Sequence, residues 1–317
     1  TAAVNWRNWR FDQGHSPAQR VGVPVVSVGN LTLGGTGKTP MVKWIAGWFA
    51  ERGVRVAIVS RGYGATTGGM NDEALELAQS LPEVPHVQNP NRVAGARAAI
   101  EKFNCQLILL DDGFQHRRLT RDLDVVLLDA SAPFGFEHVF PRGMLREPIT
   151  ALERANVICL TRADLLDAAD RQAIRRRVAE LAPQAAWCEA AHAPHEMRNA
   201  VGQTQPIATL AGRRVAAFCG IGNPAEFRRT LEELGGDVVF WREFADHHAY
   251  GANDRAEMAA ALGATDGEMG VTTHKDLVKL PVERLGDRPL WALVIEMQLL
   301  AGRQVLEQAL CRLACPG

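Results

Sequence analysis

The feature that most restricts this chain is a β-branched apolar run that passes through a glycine-rich turn into a helix start. Val23-Pro24-Val25-Val26-Ser27-Val28 leads through Gly29-Asn30-Leu31-Thr32-Leu33 into Gly34-Gly35-Thr36-Gly37-Lys38-Thr39. Strand, glycine-rich turn and helix, in that order, are the setting of a phosphate-binding loop. Glycines let backbone N–H groups converge on phosphate oxygens with no Cβ in the way, and the helix N-terminus adds a favourable dipole. In that setting Lys38 reaches the outer phosphates as a point charge, and Thr39 offers its hydroxyl to Mg²⁺. The strict pattern wants a glycine five residues before Gly37, where this chain has Thr32. Even so, the order of the segment predicts a bound nucleoside triphosphate.

Around this loop the chain alternates short β-branched runs with longer helical patterns. That predicts an α/β fold: a P-loop NTPase-type parallel sheet core with a second, smaller α/β domain. Strands are predicted at 23–28, 54–60, 106–110, 124–128 and 156–161. Helices are predicted at 38–52, 91–103 and 170–181, with Asn91 as an N-cap. The runs at 106–110 and 124–128 are continuously apolar, as strands buried on both faces are. A polar break at 196–206 precedes a second alternation, with strands at 214–219, 237–244, 270–273 and 290–295 and helices at 224–234, 254–262 and 304–313. For 317 residues two domains are expected, 1–205 and 206–317.

Composition narrows the classes. Apolar residues make up 47% and charged residues 22%, as in a globular protein with a real core. A formal net charge of -1 gives no reason to expect a nucleic-acid partner. The six cysteines (Cys105, Cys159, Cys188, Cys219, Cys311 and Cys315) contain no CxxC pair, and Cys311 with Cys315 lacks the second pair a zinc site needs. A reducing compartment fits. No run approaches the roughly 18–20 apolar residues of a membrane span, and no signal peptide is visible. Near the start, Trp6-Arg7-Asn8-Trp9-Arg10-Phe11 mixes aromatic and cationic side chains. That mix suits a membrane interface, and equally a solvated helix end.

Leu107-Ile108-Leu109-Leu110-Asp111-Asp112 is an apolar strand ending in two carboxylates. In phosphate-loop enzymes that arrangement sets a carboxylate beside the metal, directly or through water. Strand-end aspartates also cap the next turn, so one of the two can be structural. Asp129, with no partner, is expected to cap. Two further polar segments are Gly113-Phe114-Gln115-His116-Arg117-Arg118 and Pro141-Arg142-Gly143-Met144-Leu145-Arg146-Glu147-Pro148. Arginines near a nucleotide site hold phosphates bidentately, and solvated loops have the same look. Spacing alone does not choose.

Taken together, Ser27-Val28-Gly29-Asn30, the loop through Pro40, Ser60-Arg61-Gly62-Tyr63-Gly64, Asp111-Asp112-Gly113-Phe114-Gln115-His116 and Arg146-Glu147-Pro148 resemble the tetraacyldisaccharide 4'-kinases. Later segments extend the resemblance: Gly220-Ile221-Gly222-Asn223-Pro224, Asp246-His247-His248 with Tyr250, and Thr273 with Lys275-Asp276. These enzymes phosphorylate the 4'-hydroxyl of a membrane-embedded lipid disaccharide on the way to lipid A. The resemblance implies ATP and Mg²⁺ as cofactors, with Lys38 and Thr39 on phosphates and metal. Asp111, Asp112 and Glu147 would surround the metal and the transferred phosphate. Asp72 matches the family's acidic base, and His247 or His248 the histidine paired with it. Tyr63, Arg92 and Gln115 fall where the family contacts its disaccharide and that lipid's phosphate. The resemblance also implies a small C-terminal domain that closes over the active site, and residence at the cytoplasmic face of the bacterial inner membrane through peripheral or N-terminal contact.

The chemistry suits these residues. A sugar hydroxyl is a poor acid, so a carboxylate must accept its proton as the bond to phosphorus forms, and a histidine can orient that carboxylate. Asp72 reads equally well as the N-cap of a following helix, and the two roles are compatible. Two departures stand out. The family carries a longer insertion between Tyr63 and Asp72, and an amphipathic or hydrophobic N-terminal helix of which Trp6–Phe11 would be a remnant. The competing class is a switch ATPase or GTPase of the partitioning or metallochaperone type. That class has a lysine before the double glycine, where this chain has Leu33. Thr161-Arg162-Ala163-Asp164 only faintly matches a guanine-reading loop.

Overall fold

The structure, a computed structural model, describes residues 2–62, 72–246, 248–280 and 282–314. In chain order its elements begin with α1 (Ala2–Asp12), β1 (Val25–Asn30), α2 (Lys38–Ala50), β2 (Val56–Ser60), α3 (Asp72–Ser80), β3 (His86–Gln88) and α4 (Arg92–Phe103). There follow β4 (Leu107–Asp111), β5 (Leu123–Asp129), β6 (Val157–Thr161), α5 (Ala168–Leu181), β7 (Ala186–Arg198) and β8 (Thr204–Pro206). The rest comprises β9 (Arg214–Cys219), α6 (Pro224–Glu233), β10 (Asp237–Glu243), α7 (Ala252–Ala264), β11 (Met269–Thr273), α8 (His274–Leu277), β12 (Arg284–Leu285), β13 (Arg288–Ala301) and α9 (Arg303–Ala314).

The chain divides into two compact units, one of residues 1–71, 80–192 and 297–317, the other of 72–79 and 193–296. The sequence expectation had drawn one cut near 205. Three segments depart from it: residues 72–79 and 193–205 join the second unit, and the C-terminal helix α9 joins the first. Composition cannot register such exchanges, because a helix that changes unit keeps the same amphipathic pattern.

In the first unit, β7, β6, β5, β1, β4, β2 and β3 lie in that order. Every neighbouring pair is parallel. All six residues of the central strand β1 are buried, which explains why its sequence is apolar without alternation. Helix α4 packs Val93, Ala96 and Ala99 against Val25, Ala57, Val59, Ile108 and Leu110. Asn91 caps it as expected, its side chain accepting from Val93 N and Ala94 N. Ligands of open parallel sheets bind beyond the carboxyl ends of the strands, and the loop at 31–37 leaves β1 there.

In the second unit, β10, β9, β11 and β13 form a parallel array with β12 antiparallel to β13. Alternate residues of β9 serve two cores. Val215, Ala217 and Cys219 join Leu231 and Val271 on one face, and Ala216 and Phe218 join Met258 and Leu262 on the other.

One glycine positions the site. A Cβ added at Gly29 would lie 2.6 Å from the Cβ of Phe114 and 2.8 Å from its backbone N. The turn after β4 therefore lies directly against β1 because residue 29 has no side chain. Gly29→Ala is expected to lower stability by roughly 1–3 kcal/mol through overpacking. Denaturant unfolding checks this; an unchanged midpoint would show that the turn can retreat freely.

Candidate active site

Helix α2 begins immediately after Gly37, which takes a left-handed backbone (φ 83°) and provides no side-chain cap. The first N–H groups of α2 are thus left to a ligand, as an anion site requires. Gly34 is also left-handed, at φ 103°. Thr32, standing where a glycine was expected, has no positive φ and needs none. It forms an antiparallel bridge with Leu145, and its carbonyl accepts from Asn30 Nδ2 (2.8 Å) and Arg146 Nε (3.1 Å). The approach to the loop is held as an extended strand edge there, so a β-branched residue fits.

Lys38 Nζ lies 3.6 Å from Asp112 Oδ1 and 3.5 Å from Asn30 Oδ1. Arg146 grips the same carboxylate with two bonds of 2.9 and 2.8 Å. Burial pushes the Asp112 carboxyl up, but Lys38 and Arg146 outweigh it and hold the group below the usual range. Asp111, buried at the end of β4, pairs in register with Val28 of β1. Arg92 is buried at the start of α4; burial lowers its pKa while Asp112 and Asp111 oppose that shift.

Glu147 has different company from that expected. Its carboxylate is completely buried, 0% exposed, and accepts from Arg154 (2.9 Å) and Gln115 (3.2 Å) on Oε1 and from Asn8 (2.8 Å) on Oε2. Among the described residues, Asp111, Asp112 and Glu147 do not gather into a group of three that could hold a metal ion. A fully buried carboxylate needs donors on both oxygens, and here protein donors fill them. Gln115 also donates to the carbonyl of Asn30 (2.9 Å), so residue 115 ties Glu147 to the end of β1. The Arg154 guanidinium lies 4.5 Å over the Phe114 ring. Sequence reasoning missed Asn8 and Arg154, gave Asn30 no role and left Arg146 undecided, because their roles depend on contacts between remote segments.

Beside Gln115 a cavity of about 300 Å³ is lined by Trp6, Arg10, Phe11, His116, Arg117 and Arg118, among others. Burial, then Arg92, Arg121, Arg118 and Arg61, pushes the His116 imidazole down to about 4, so the ring is neutral among cations. Asp129 caps as expected, its Oδ1 accepting from Ser131 N and Oγ.

The remaining expected residues fall in the second unit or outside the described residues. Tyr63 and His247 lie outside them, as does the side chain of Asp72, whose backbone opens α3. His248 is engaged locally: Nε2 lies 3.1 Å from Asp254 Oδ2, and the ring stacks on Phe244 at 4.5 Å. Glu76 of α3 pairs with His274 at 3.8 Å within the same unit. Helix α3 from Asp72 and the histidine-bearing segment are thus parts of one body.

The family described as "LpxK: Tetraacyldisaccharide-1-P 4'-kinase" matches residues 1–314. A tetraacyldisaccharide 4'-kinase of Anaeromyxobacter dehalogenans (strain 2CP-C) is 43% identical over 98% of this chain and 86% of its own length. That of Geobacter metallireducens is 39% identical over 94% of this chain and 90% of its own. Among solved structures, LpxK of Aquifex aeolicus in complex with ATP is similar with a TM-score of 0.80 and 29% identity, covering 99% of this chain and 96% of that one. Matches that run through both units set aside the switch ATPase or GTPase class.

Removing the cation beside a buried carboxylate should be severe. Arg154→Met is expected to destabilise the protein by roughly 3–5 kcal/mol, measured by chemical unfolding; a loss under about 1 kcal/mol would mean that water reaches Glu147. His116 gives a pH prediction. Its folded value of about 4 lies below the ordinary 6.5, so between those values the unfolded state binds a proton that the folded state does not. Stability therefore falls as pH drops through that window, and His116→Gln should flatten the fall. Unfolding midpoints measured across the window decide it: equal slopes in the two proteins would contradict the buried neutral ring.

Proposed function

The chain belongs to the tetraacyldisaccharide 4'-kinase family, and on that premise we propose how its own residues carry the γ-phosphate of ATP to the 4'-hydroxyl of a tetraacylated diglucosamine 1-phosphate lipid. The observation that carries the reading is the uncapped start of α2 with Lys38 set against Asp112. Backbone N–H groups of residues 34–39 bind the triphosphate, and Lys38 neutralises its outer oxygens. The Thr39 hydroxyl with Asp111 and Asp112 would offer Mg²⁺ hard oxygen donors, and such an ion would neutralise charge on the transferring group. Glu147 is proposed as the residue that orients Gln115, not as a metal ligand.

On the acceptor side, Asp72 takes the proton of the 4'-hydroxyl. Because Asp254 already engages His248, His247 is the proposed partner that orients Asp72. Arg92, Gln115 and Tyr63 bind the disaccharide and its phosphate, and the cationic, aromatic cavity beside Gln115 supports that assignment. Helix α1 is proposed to rest on the cytoplasmic face of the bacterial inner membrane. Trp6 is 59% and Trp9 50% exposed, with Arg10 5.0 Å over the Trp6 ring, a pairing suited to headgroups. No helix of the described residues is long and apolar enough to cross a membrane.

Incubation with labelled ATP and a tetraacylated diglucosamine monophosphate in detergent tests the reading. A lipid product bearing a second phosphate is expected; ATP hydrolysis without that product would overturn it. Lys38→Ala and Asp72→Ala should each lower the transfer rate by about 10²–10⁴-fold, and near-normal turnover in both would sink the assigned roles.

A further inference from the structure

The carbonyl side of the phosphate loop is held from outside, by residues at the end of β6. Thr161 closes that strand, and its single hydroxyl hydrogen is donated to the nearer carbonyl, that of Thr36 at 3.0 Å, with the Leu128 carbonyl at 3.3 Å as its alternative acceptor. Arg162 follows in a left-handed conformation (φ 53°), unusual for a residue with a side chain. Its Nη2 donates to the carbonyl of Gly35 at 3.1 Å, while Nη1 pairs with Asp129 at the end of β5. Two consecutive loop carbonyls are therefore bound by two consecutive residues.

A trans peptide is planar, and its C=O points opposite to the N–H of the next residue. Fixing the Gly35 carbonyl turns the Thr36 N–H away from β6. Fixing the Thr36 carbonyl does the same for the Gly37 N–H. A third contact comes from β7, where His192 lies beyond Glu189, the register partner of Leu160. A Cβ added at Gly37 would collide with the Nε2 end of that imidazole. Burial, then Arg162, pushes His192 down to about 4, so an uncharged ring backs the loop without altering the charge where phosphates bind.

We propose that Thr161 and Arg162 are positioning residues of the nucleotide site, which lock the two peptide planes that aim the Thr36 and Gly37 N–H groups at the phosphates. The inference rests on the reading of residues 34–39 as the ATP loop. It differs from a guanine-reading role for the same segment, because these side chains act on the loop and not on a base. A strand end that only stabilised the fold would be indifferent to nucleotide.

Titration calorimetry of the full chain with ATP, without lipid, tests this, followed by separate kcat and KM values for ATP and for lipid. Thr161→Val keeps the shape and removes the donor. It should weaken ATP binding and raise the KM for ATP about tenfold, the equivalent of one hydrogen bond, with lipid KM unmoved. Thr161→Ser should restore most of that affinity, and Arg162→Ala should weaken ATP binding to a similar degree. If Thr161→Val and Arg162→Ala bind ATP as the parent does, melting earlier or not, the proposal is wrong and the contacts serve the fold alone. If Thr161→Val does not fold, Arg162→Ala decides by the same criterion. A parent chain that binds no ATP would instead remove the loop reading itself.

Discussion

The close contact of Phe114 with Gly29 is the constraint on which the rest of the site depends. Gly29 is the fifth residue of β1, and Phe114 stands three residues beyond the end of β4. Because nothing projects from residue 29, the backbone and Cβ of Phe114 can lie directly against the central strand. Its neighbours are then placed without further adjustment. Asp112 falls within reach of Lys38, and Gln115 within reach of the Asn30 carbonyl. On the ring's own face Arg154 stacks, turned toward Glu147. A packing contact between a phenylalanine and a glycine thus helps to place three polar side chains, Asp112, Gln115 and Arg154.

That arrangement explains why Glu147 is buried. A carboxylate removed from water is tolerated only where donors surround it, and each of its donors comes from a different part of the first unit. Asn8 belongs to α1, Gln115 to the turn after β4, and Arg154 to the segment before β6. Losing any one would leave a buried charge short of a partner, so the three segments are coupled through one carboxylate. Helix α1 is further held by Arg117, which donates to the Asn8 carbonyl at 3.1 Å and pairs with Asp12 at 2.6 Å. These polar tethers leave its tryptophans free to face outward.

Much of the framework was legible in the sequence because it obeys local rules. The apolar runs at β1, β4 and β5, the cap at Asn91 and the helix after Gly37 each depend on a few adjacent residues, and the ends of those three strands fell within about two positions. Strand β7 was missed. Ala186-Trp187-Cys188-Glu189-Ala190-Ala191 is rich in alanine, a strong helix former, and its pairing with β6, remote in sequence pattern, holds it as a strand. The company Glu147 keeps was hidden for a related reason. The resemblance places it near the metal and the transferred phosphate, while its donors Asn8, Gln115 and Arg154 come from residues that no spacing rule reports. Thr32 had looked like a flaw in the loop, and the structure shows a strand edge that had no use for glycine.

Charge around Lys38 bears on how its amine is presented to a triphosphate. Asp112 faces two cations, Lys38 and Arg146, and both favour its ionised form. Arg146 also donates to the Thr32 carbonyl, so the side chain that balances Asp112 also holds the approach to the loop. Lys38 meets the carboxylate at 3.6 Å, a looser approach than the paired bonds from Arg146. The tighter partner keeps Asp112 in place, and the looser one can exchange a carboxylate oxygen for a phosphate oxygen at little electrostatic penalty, since both carry negative charge. A single strong pair between Lys38 and Asp112 would have opposed that exchange. With the carboxylate shared unequally between two cations, the lysine stays available and the acid stays fixed.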